Sequence, residues 1–315
     1  VIYTLTLNPA IDRELTVPAI AFDRVLRATR TRVDWGGKGF NVSRVLKNLG
    51  APSTALGFVG GRAGELLRDG LQALGIGTDF VWVAGETRTN VSVVTPEGGH
   101  YLKVNEAGPG IEPGKQKELL DKIESLASPG DWWVLAGSLP PGVPDSFYAR
   151  IIGVLNARGA LSLLDTTGEG LRLGCGAKPF VIKPNAEETQ ALTGLRIETP
   201  ADTALAAAGL RALGAQNVVI SMGKAGALLQ TADETWLAHA PAIEEKNPIG
   251  AGDAMVGGLV WAMAQGLALN DALASGVASG AATASLSGTE VGARDLIGAL
   301  HARVRLQAIE IRASP

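Results

Sequence analysis

The sequence predicts an α/β fold with a mostly parallel central sheet covered by helices on both faces. Three observations carry this. Short apolar runs of strand length recur at 3–7, 54–59, 132–136, 161–165, 179–183 and 217–221. Helical patterns lie between them. Runs that are apolar without strict alternation suit strands buried on both faces, the condition of a parallel sheet flanked by helices.

Taken in order, Val-Ile-Tyr-Thr-Leu-Thr-Leu at the start alternates and reads as a strand rather than a signal peptide. In 40–50, Val42, Val45, Leu46 and Leu49 fall at i, i+3, i+4 and i+7 and form one apolar helical stripe. Segments 145–158 and 201–214 read the same way. Two regions break the rhythm: 12–35 and 88–104 are β-rich and polar, as in Thr29-Arg30-Thr31-Arg32-Val33-Asp34-Trp35 and Asn90-Val91-Ser92-Val93-Val94. They are expected to form a small sheet projecting from the main body, able to cover a site or to pair with a second subunit. No composition break or internal repeat divides the chain, so residues 1–315 are expected to form a single domain.

Composition narrows the function. Hydrophobic residues make up 46% and charged residues 19%, which is a globular balance. The net charge of −3 and the lack of a long basic run argue against nucleic-acid binding. No apolar run reaches 18 residues, which argues against a membrane span. One cysteine, Cys175, can form neither an intrachain disulfide nor a thiolate metal cluster; this suits a cytoplasmic setting.

The strongest local signal is Asn247-Pro248-Ile249-Gly250-Ala251-Gly252-Asp253, followed by an apolar helical stretch from Val256 to Ala264. Glycines before a helix let backbone approach a ligand, and the first-turn N–H groups have no intrahelical acceptor. With the helix dipole this end is suited to an anion. Asp253 sits beside those donors, where a carboxylate can take the proton of an attacking hydroxyl. The plain alternative is a first-turn carboxylate that the dipole merely favours.

A second cluster, Gly36-Gly37-Lys38-Gly39-Phe40-Asn41-Val42, opens the helix at 40–50. Further motifs follow: Asn8-Pro9-Ala10-Ile11-Asp12, Thr87-Arg88-Thr89-Asn90, Gly137-Ser138-Leu139-Pro140-Pro141-Gly142, Lys183-Pro184-Asn185-Ala186-Glu187-Glu188 and Ser221-Met222-Gly223-Lys224-Ala225-Gly226. Together, from about Ile2 to about Val304, they resemble the PfkB/ribokinase family of sugar kinases. The resemblance implies a Rossmann-like, three-layer ribokinase fold with a β-lid over the sugar. It also implies ATP and Mg²⁺.

Residue by residue, the resemblance makes Asp253 the catalytic base and the backbone of Gly250, Ala251 and Gly252 the anion hole. It puts Ser221, Met222, Gly223, Lys224, Ala225 and Gly226 along the nucleotide, although a turn into 227–230 explains the same residues. Lys183 is expected to face the nucleotide phosphates. Asn185 and Glu188 match a motif near Mg²⁺ and are expected to act through water; their spacing equally fits a helix capping box. On the acceptor side, Asp12 and Asn41 match residues that grip sugar hydroxyls, with Gly36 and Gly37 beside them. Arg27 and Arg88 match holders of a substrate phosphate, and guanidinium suits phosphate oxygens. Lys38, Lys103, Asn90 and Asn105 are further candidates, and Ser138 follows a strand end where α/β sheets bind ligands. Arg30 and Arg32 are read as solvated.

Within the family, Lys38 in the glycine cluster, the Thr87–Asn90 motif and Asn105-Glu106-Ala107-Gly108-Pro109 look most like 1-phosphofructokinases. The acceptor expected from this is fructose 1-phosphate. Tagatose-6-phosphate kinase and 6-phosphofructokinase are the near alternatives. Kinases of nucleosides or unphosphorylated sugars would not need the cations at 27, 38, 88 and 103. A non-catalytic sugar-phosphate sensor would not need an intact Asp253. A homodimer through the β-lid is expected, because edge strands invite pairing.

Overall fold

A computed structural model of the chain describes residues 1–96 and 101–309. Positions 97–100, part of the lid segment expected at 88–104, lie outside the described residues.

Among the described residues the main sheet has eleven strands. Six run parallel in the order Thr54–Val59, Ile2–Thr6, Trp132–Ala136, Leu161–Asp165, Val181–Ile182 and Asn217–Ser221. The short strands Gly77–Thr78 and Val81–Trp82 join the Thr54–Val59 side in parallel. At the other end Ala227–Gln230, Thr235–His239 and Arg305–Ala308 add an antiparallel edge. Two buried clusters, on Leu5/Trp133/Leu164 and on Val134/Leu163/Val256, pack the opposite faces of the sheet. Alternate residues of each strand serve each cluster, which is why the strands read as unbroken apolar runs.

The strands expected at 54–59, 132–136, 161–165 and 217–221 are found with those bounds. The run at 179–183 keeps only Val181–Ile182 as strand. The expected helices appear as Lys38–Asn48, Phe147–Ala157 and Pro200–Ala212.

The small sheet is separate and, among the described residues, four-stranded: Arg30–Gly36, Ala10–Thr16, Arg88–Val94, Tyr101–Asn105. Its registers pair Asp12 with Asp34 and with Asn90, and Asn90 with Asn105. A period of two then puts these four polar side chains in one row on one face. The other face carries Val33, Leu102 and Val104, each exposed. Strand Arg30–Gly36 runs through Gly37 directly into helix Lys38–Asn48, so this sheet is covalently continuous with the main body.

Candidate active site

The parallel strands deliver their carboxyl ends to one rim. Asp165 ends one strand, Lys183 follows the next, Ser221 ends a third and Ser138 lies just past a fourth. This rim is where open α/β sheets bind ligands. A cleft of about 740 Å³ opens there, with Lys183, Asn185 and Glu188 on one wall and Ala251, Gly252 and Asp253 on another. Its far end is apolar, with Pro241, Ile243, Val277 and Ala281. A pocket polar at one end and apolar at the other suits a nucleotide, with phosphates at the charged end and base at the other.

Gly250 caps helix Ala251–Ala264 in the left-handed region at φ +82°, a conformation costly for other residues. Ala251 N–H donates to the Pro248 carbonyl at 3.2 Å. The N–H groups of Gly252 and Asp253 sit in the first turn, facing the cleft where no intrahelical acceptor exists.

Asp253 is buried, and its Oδ2 accepts from Asn41 Nδ2 at 2.8 Å. Burial, reinforced by Asp165, pushes its carboxyl up to about 6, against the downward pull of Asn41, Lys38 and Lys183. Asp165 was not singled out from the sequence. It is 2% exposed, and its Oδ1 lies 3.4 Å from both Lys38 Nζ and Lys183 Nζ. The signal available was a carboxylate at the carboxyl end of an otherwise apolar strand. Lys38 therefore lies in the cleft beside Asp165. Burial pushes its ammonium down, but Asp165, Asp253 and Glu188 together hold it above its ordinary value. The Lys183 ammonium lies against Gly252, where an added Cβ would come within 3.8 Å of it.

Asn185 and Glu188 form the capping box that their spacing allowed: Glu188 N–H donates to Asn185 Oδ1 and Asn185 N–H to Glu188 Oε2, both at 2.8 Å. Both also line the cleft, so the cap does not exclude a ligand role. Among the described residues no group of three or more His, Cys, Asp or Glu could cage a metal ion. The donor set fits a hydrated Mg²⁺ carried on phosphates rather than an ion held by protein alone. Within the Ser221–Gly226 run, Ser221, Gly223, Lys224 and Gly226 line this cleft. Met222 and Ala225 instead line an adjoining depression of about 550 Å³.

Of the acceptor-side candidates, Asp12, Arg88, Asn90, Lys103 and Asn105 share the polar face of the small sheet, whereas Asn41 and Lys38 lie on helix Lys38–Asn48 against Asp253 and Asp165. Asp12 Oδ1 accepts from Asn90 Nδ2 at 2.8 Å. Burial raises the Asp12 carboxyl, while Asn90, Lys103 and Arg88 oppose the rise. Gly36 lets Asp12 approach closely, since a Cβ there would lie 2.4 Å from Asp12 Oδ2 and displace that carboxylate. Gly37, at φ +147°, makes the turn into the helix. Arg88 donates from Nη1 to the Glu106 carbonyl at 3.0 Å and from Nη2 to the Asn8 carbonyl at 2.9 Å. Arg88 Nε and the Oδ1 atoms of Asn8 and Asn90 are buried without a partner among the described residues, so this corner holds unused donor and acceptor capacity. Asn105 sits in the same row but exposed, as is Ser138. Arg27 is exposed in the segment between strands Ala10–Thr16 and Arg30–Gly36. The solvated reading of Arg32 is corrected: its Nε pairs with Asp34 at 2.9 Å and its Nη2 donates to Thr289 Oγ1. The ion pair and the hydrogen bond replace the water that a free guanidinium would keep.

A cleft with two ammonium groups and a helix N-terminus at its rim, together with a sheet face bearing carboxylate, amide and guanidinium groups, fits a small-molecule phosphotransferase. The chain belongs to the pfkB family of carbohydrate kinases, whose family model matches residues 3–295. It is 36% identical to 1-phosphofructokinase of Bacillus subtilis (strain 168) over 305 residues, covering 97% of this chain and 99% of that one. Tagatose-6-phosphate kinase of Staphylococcus epidermidis is 32% identical over 82% of this chain and 84% of its own. The solved structure of phosphofructokinase-2 from Escherichia coli in complex with potassium superposes with a TM-score of 0.91 at 30% identity, covering 96% of this chain and 98% of that one. The chain is an ATP-dependent sugar-phosphate kinase. No helix among the described residues is long and apolar enough to cross a membrane.

Proposed function

We propose that the acceptor is fructose 1-phosphate and the product fructose 1,6-bisphosphate. What carries this is the acceptor-side row, Asp12 and Asn90 with Arg88 and Lys103 in its field, in a chain 32–38% identical to six relatives named 1-phosphofructokinase. The row offers a carboxylate and amides to hydroxyls and two cations to a phosphate.

In the proposed reaction Asp253 removes the proton of the attacking hydroxyl. Asn41 holds the carboxylate still. The first-turn N–H groups of Gly252 and Asp253 and the two lysines stabilise charge on the transferring phosphoryl oxygens, while Ala251 N–H is held by the Pro248 carbonyl. Mg²⁺, when bound to the phosphates near Asn185 and Glu188, would supply further charge neutralisation. Asp12, Asn90 and Asn105 orient the sugar, and Arg88 and Lys103 hold its existing phosphate. The small sheet keeps water from the reacting atoms. A homodimer is proposed through that sheet, because its edge strands and its exposed Val33, Leu102 and Val104 favour a second copy.

The test is kcat/KM with Mg-ATP for fructose 1-phosphate, tagatose 6-phosphate and fructose 6-phosphate. Fructose 1-phosphate is expected to lead. A lead for tagatose 6-phosphate, the substrate in the name of the Staphylococcus relative, would replace the proposed acceptor.

A further inference from the structure

Arg32 belongs to neither the cleft nor the acceptor row, yet it joins the elements that carry them. It projects from strand Arg30–Gly36 of the small sheet, and its guanidinium bonds Thr289 Oγ1 while Asp34 holds its Nε. The same guanidinium lies against Gly288, at φ +64°, where a Cβ would come within 2.1 Å of Arg32 Nη1. A side chain at 288 would therefore expel it.

The loop that Arg32 reaches is tied in turn to the phosphate end of the cleft. Asn247 Nδ2 donates to the Gly288 carbonyl at 2.6 Å, and Asn247 Oδ1 accepts from Ile249 N–H at 3.0 Å. Asn247 thus braces the turn that enters Gly250. On the loop's other side Arg44 Nη2 donates to the Thr289 carbonyl at 3.1 Å, and Asn48 Nδ2 to the carbonyls of Val291 and Gly292. Arg44 and Asn48 belong to helix Lys38–Asn48. Among these clamping side chains Arg32 alone comes from the small sheet.

We infer that Arg32, through Thr289 and Gly288, is a positioning residue that couples the acceptor-binding sheet to the Gly250–Asp253 turn. Acceptor bound on the sheet fixes strand Arg30–Gly36. Arg32 transmits that position to the loop at 288–289, and Asn247 passes it to the glycine turn. Each substrate then strengthens the other's binding by the same factor, as linkage requires.

The inference rests on the proposed reading of cleft and sheet, so its test does not depend on which sugar is preferred. It uses the ketohexose phosphate with the highest kcat/KM on the wild-type protein. The dissociation constant of a non-hydrolysable ATP analogue is measured with and without that acceptor. The ratio of the two is compared in wild type, Arg32→Ala, Arg32→Lys and Thr289→Val, the last nearly isosteric. For Arg32→Ala and Thr289→Val the ratio is expected to fall toward one and kcat by about tenfold, the effect of losing a hydrogen bond to a charged group. Analogue affinity without acceptor is expected to stay unchanged. Arg32→Lys should recover part of the ratio, and the Ala/Val double variant should be no worse than either single one. An unchanged ratio overturns the inference. So does a loss of acceptor-free affinity and of thermal stability in parallel, which would make Arg32 a fold contact only. A wild-type protein that turns over no ketohexose phosphate would refute the proposed function itself.

Discussion

Replacing Asp253 by Asn is expected to remove most of the turnover and to stabilise the free protein. Its carboxyl is moved from 3.8 to about 6, chiefly by burial and then by Asp165. That displacement corresponds to about 3 kcal/mol in favour of the protonated form. The sum already contains the favourable pull of Asn41, Lys38 and Lys183, so it is a net cost of holding the ion in place. The sign follows from linkage. The folded state binds the proton more tightly than the unfolded chain, so stability is full below 3.8 and is lost as pH rises through about 6. Above pH 7 wild type bears the whole cost, and a neutral amide bears none. For 315 residues the unfolding entropy is about 0.7 kcal/mol/K, so Asp253→Asn should melt about 4 °C higher at pH 8. The difference should shrink through pH 6 and be near zero at pH 4. Scanning calorimetry of ligand-free protein across that range reads it directly. In parallel, turnover should drop by about 10²-fold or more, the usual contribution of a general base. Wild-type kcat/KM should fall about tenfold per pH unit below about 6. A variant that melts lower at pH 8, or whose melting difference is flat with pH, would show that the carboxylate carries no burial penalty. Near-normal turnover would remove Asp253 from the role of base.

Two further outcomes are expected. Gly36→Ala puts a methyl 2.4 Å from Asp12 Oδ2 and must displace that carboxylate; KM for the acceptor should rise about tenfold or more while ATP affinity holds, read by steady-state kinetics and analogue binding. Asp165→Asn leaves Lys38 and Lys183 without their shared counter-ion, which should cost about 3 kcal/mol in urea unfolding. It also removes a carboxylate that raises Asp253, so the acid limb of the pH profile should move to lower pH.

Much of the fold was legible because burial on both faces leaves a plain mark: four of the six expected main-sheet strands have the expected bounds. The glycine turn before Asp253 and the capping box at Asn185 were legible for the same reason, since each is a local backbone requirement with few compatible residues. Long-range partners were not. Asp165 looked like the last residue of a buried strand, because its lysine partners are 127 and 18 residues away in the chain. Arg32 looked solvated because Thr289 is 257 residues distant. Lys38 looked like an acceptor-side cation because it follows Gly36 and Gly37, yet the first turn of its helix aims it across the cleft at Asp165. Sequence neighbours share an element, but only the packing of elements decides which rim a long side chain reaches.

Asp165 shows why the charges at this rim form a working set rather than a static ion pair. Both lysines stand 3.4 Å from one oxygen of Asp165, longer than the 2.7–2.9 Å of a tight charge-assisted bond. Neither ammonium is therefore locked, and in the proposed reaction phosphate oxygens beside Gly252 would draw both without breaking an optimised contact. The same carboxylate offsets the repulsion between two like charges, one buried on Lys183 and one partly exposed on Lys38. It also raises Asp253, so that the proposed base is ionised at neutral pH but retains the proton affinity that base catalysis uses. Replacing Asp165 by a neutral residue would free the lysines and lower the base together, so one side chain sets both halves of the proposed chemistry.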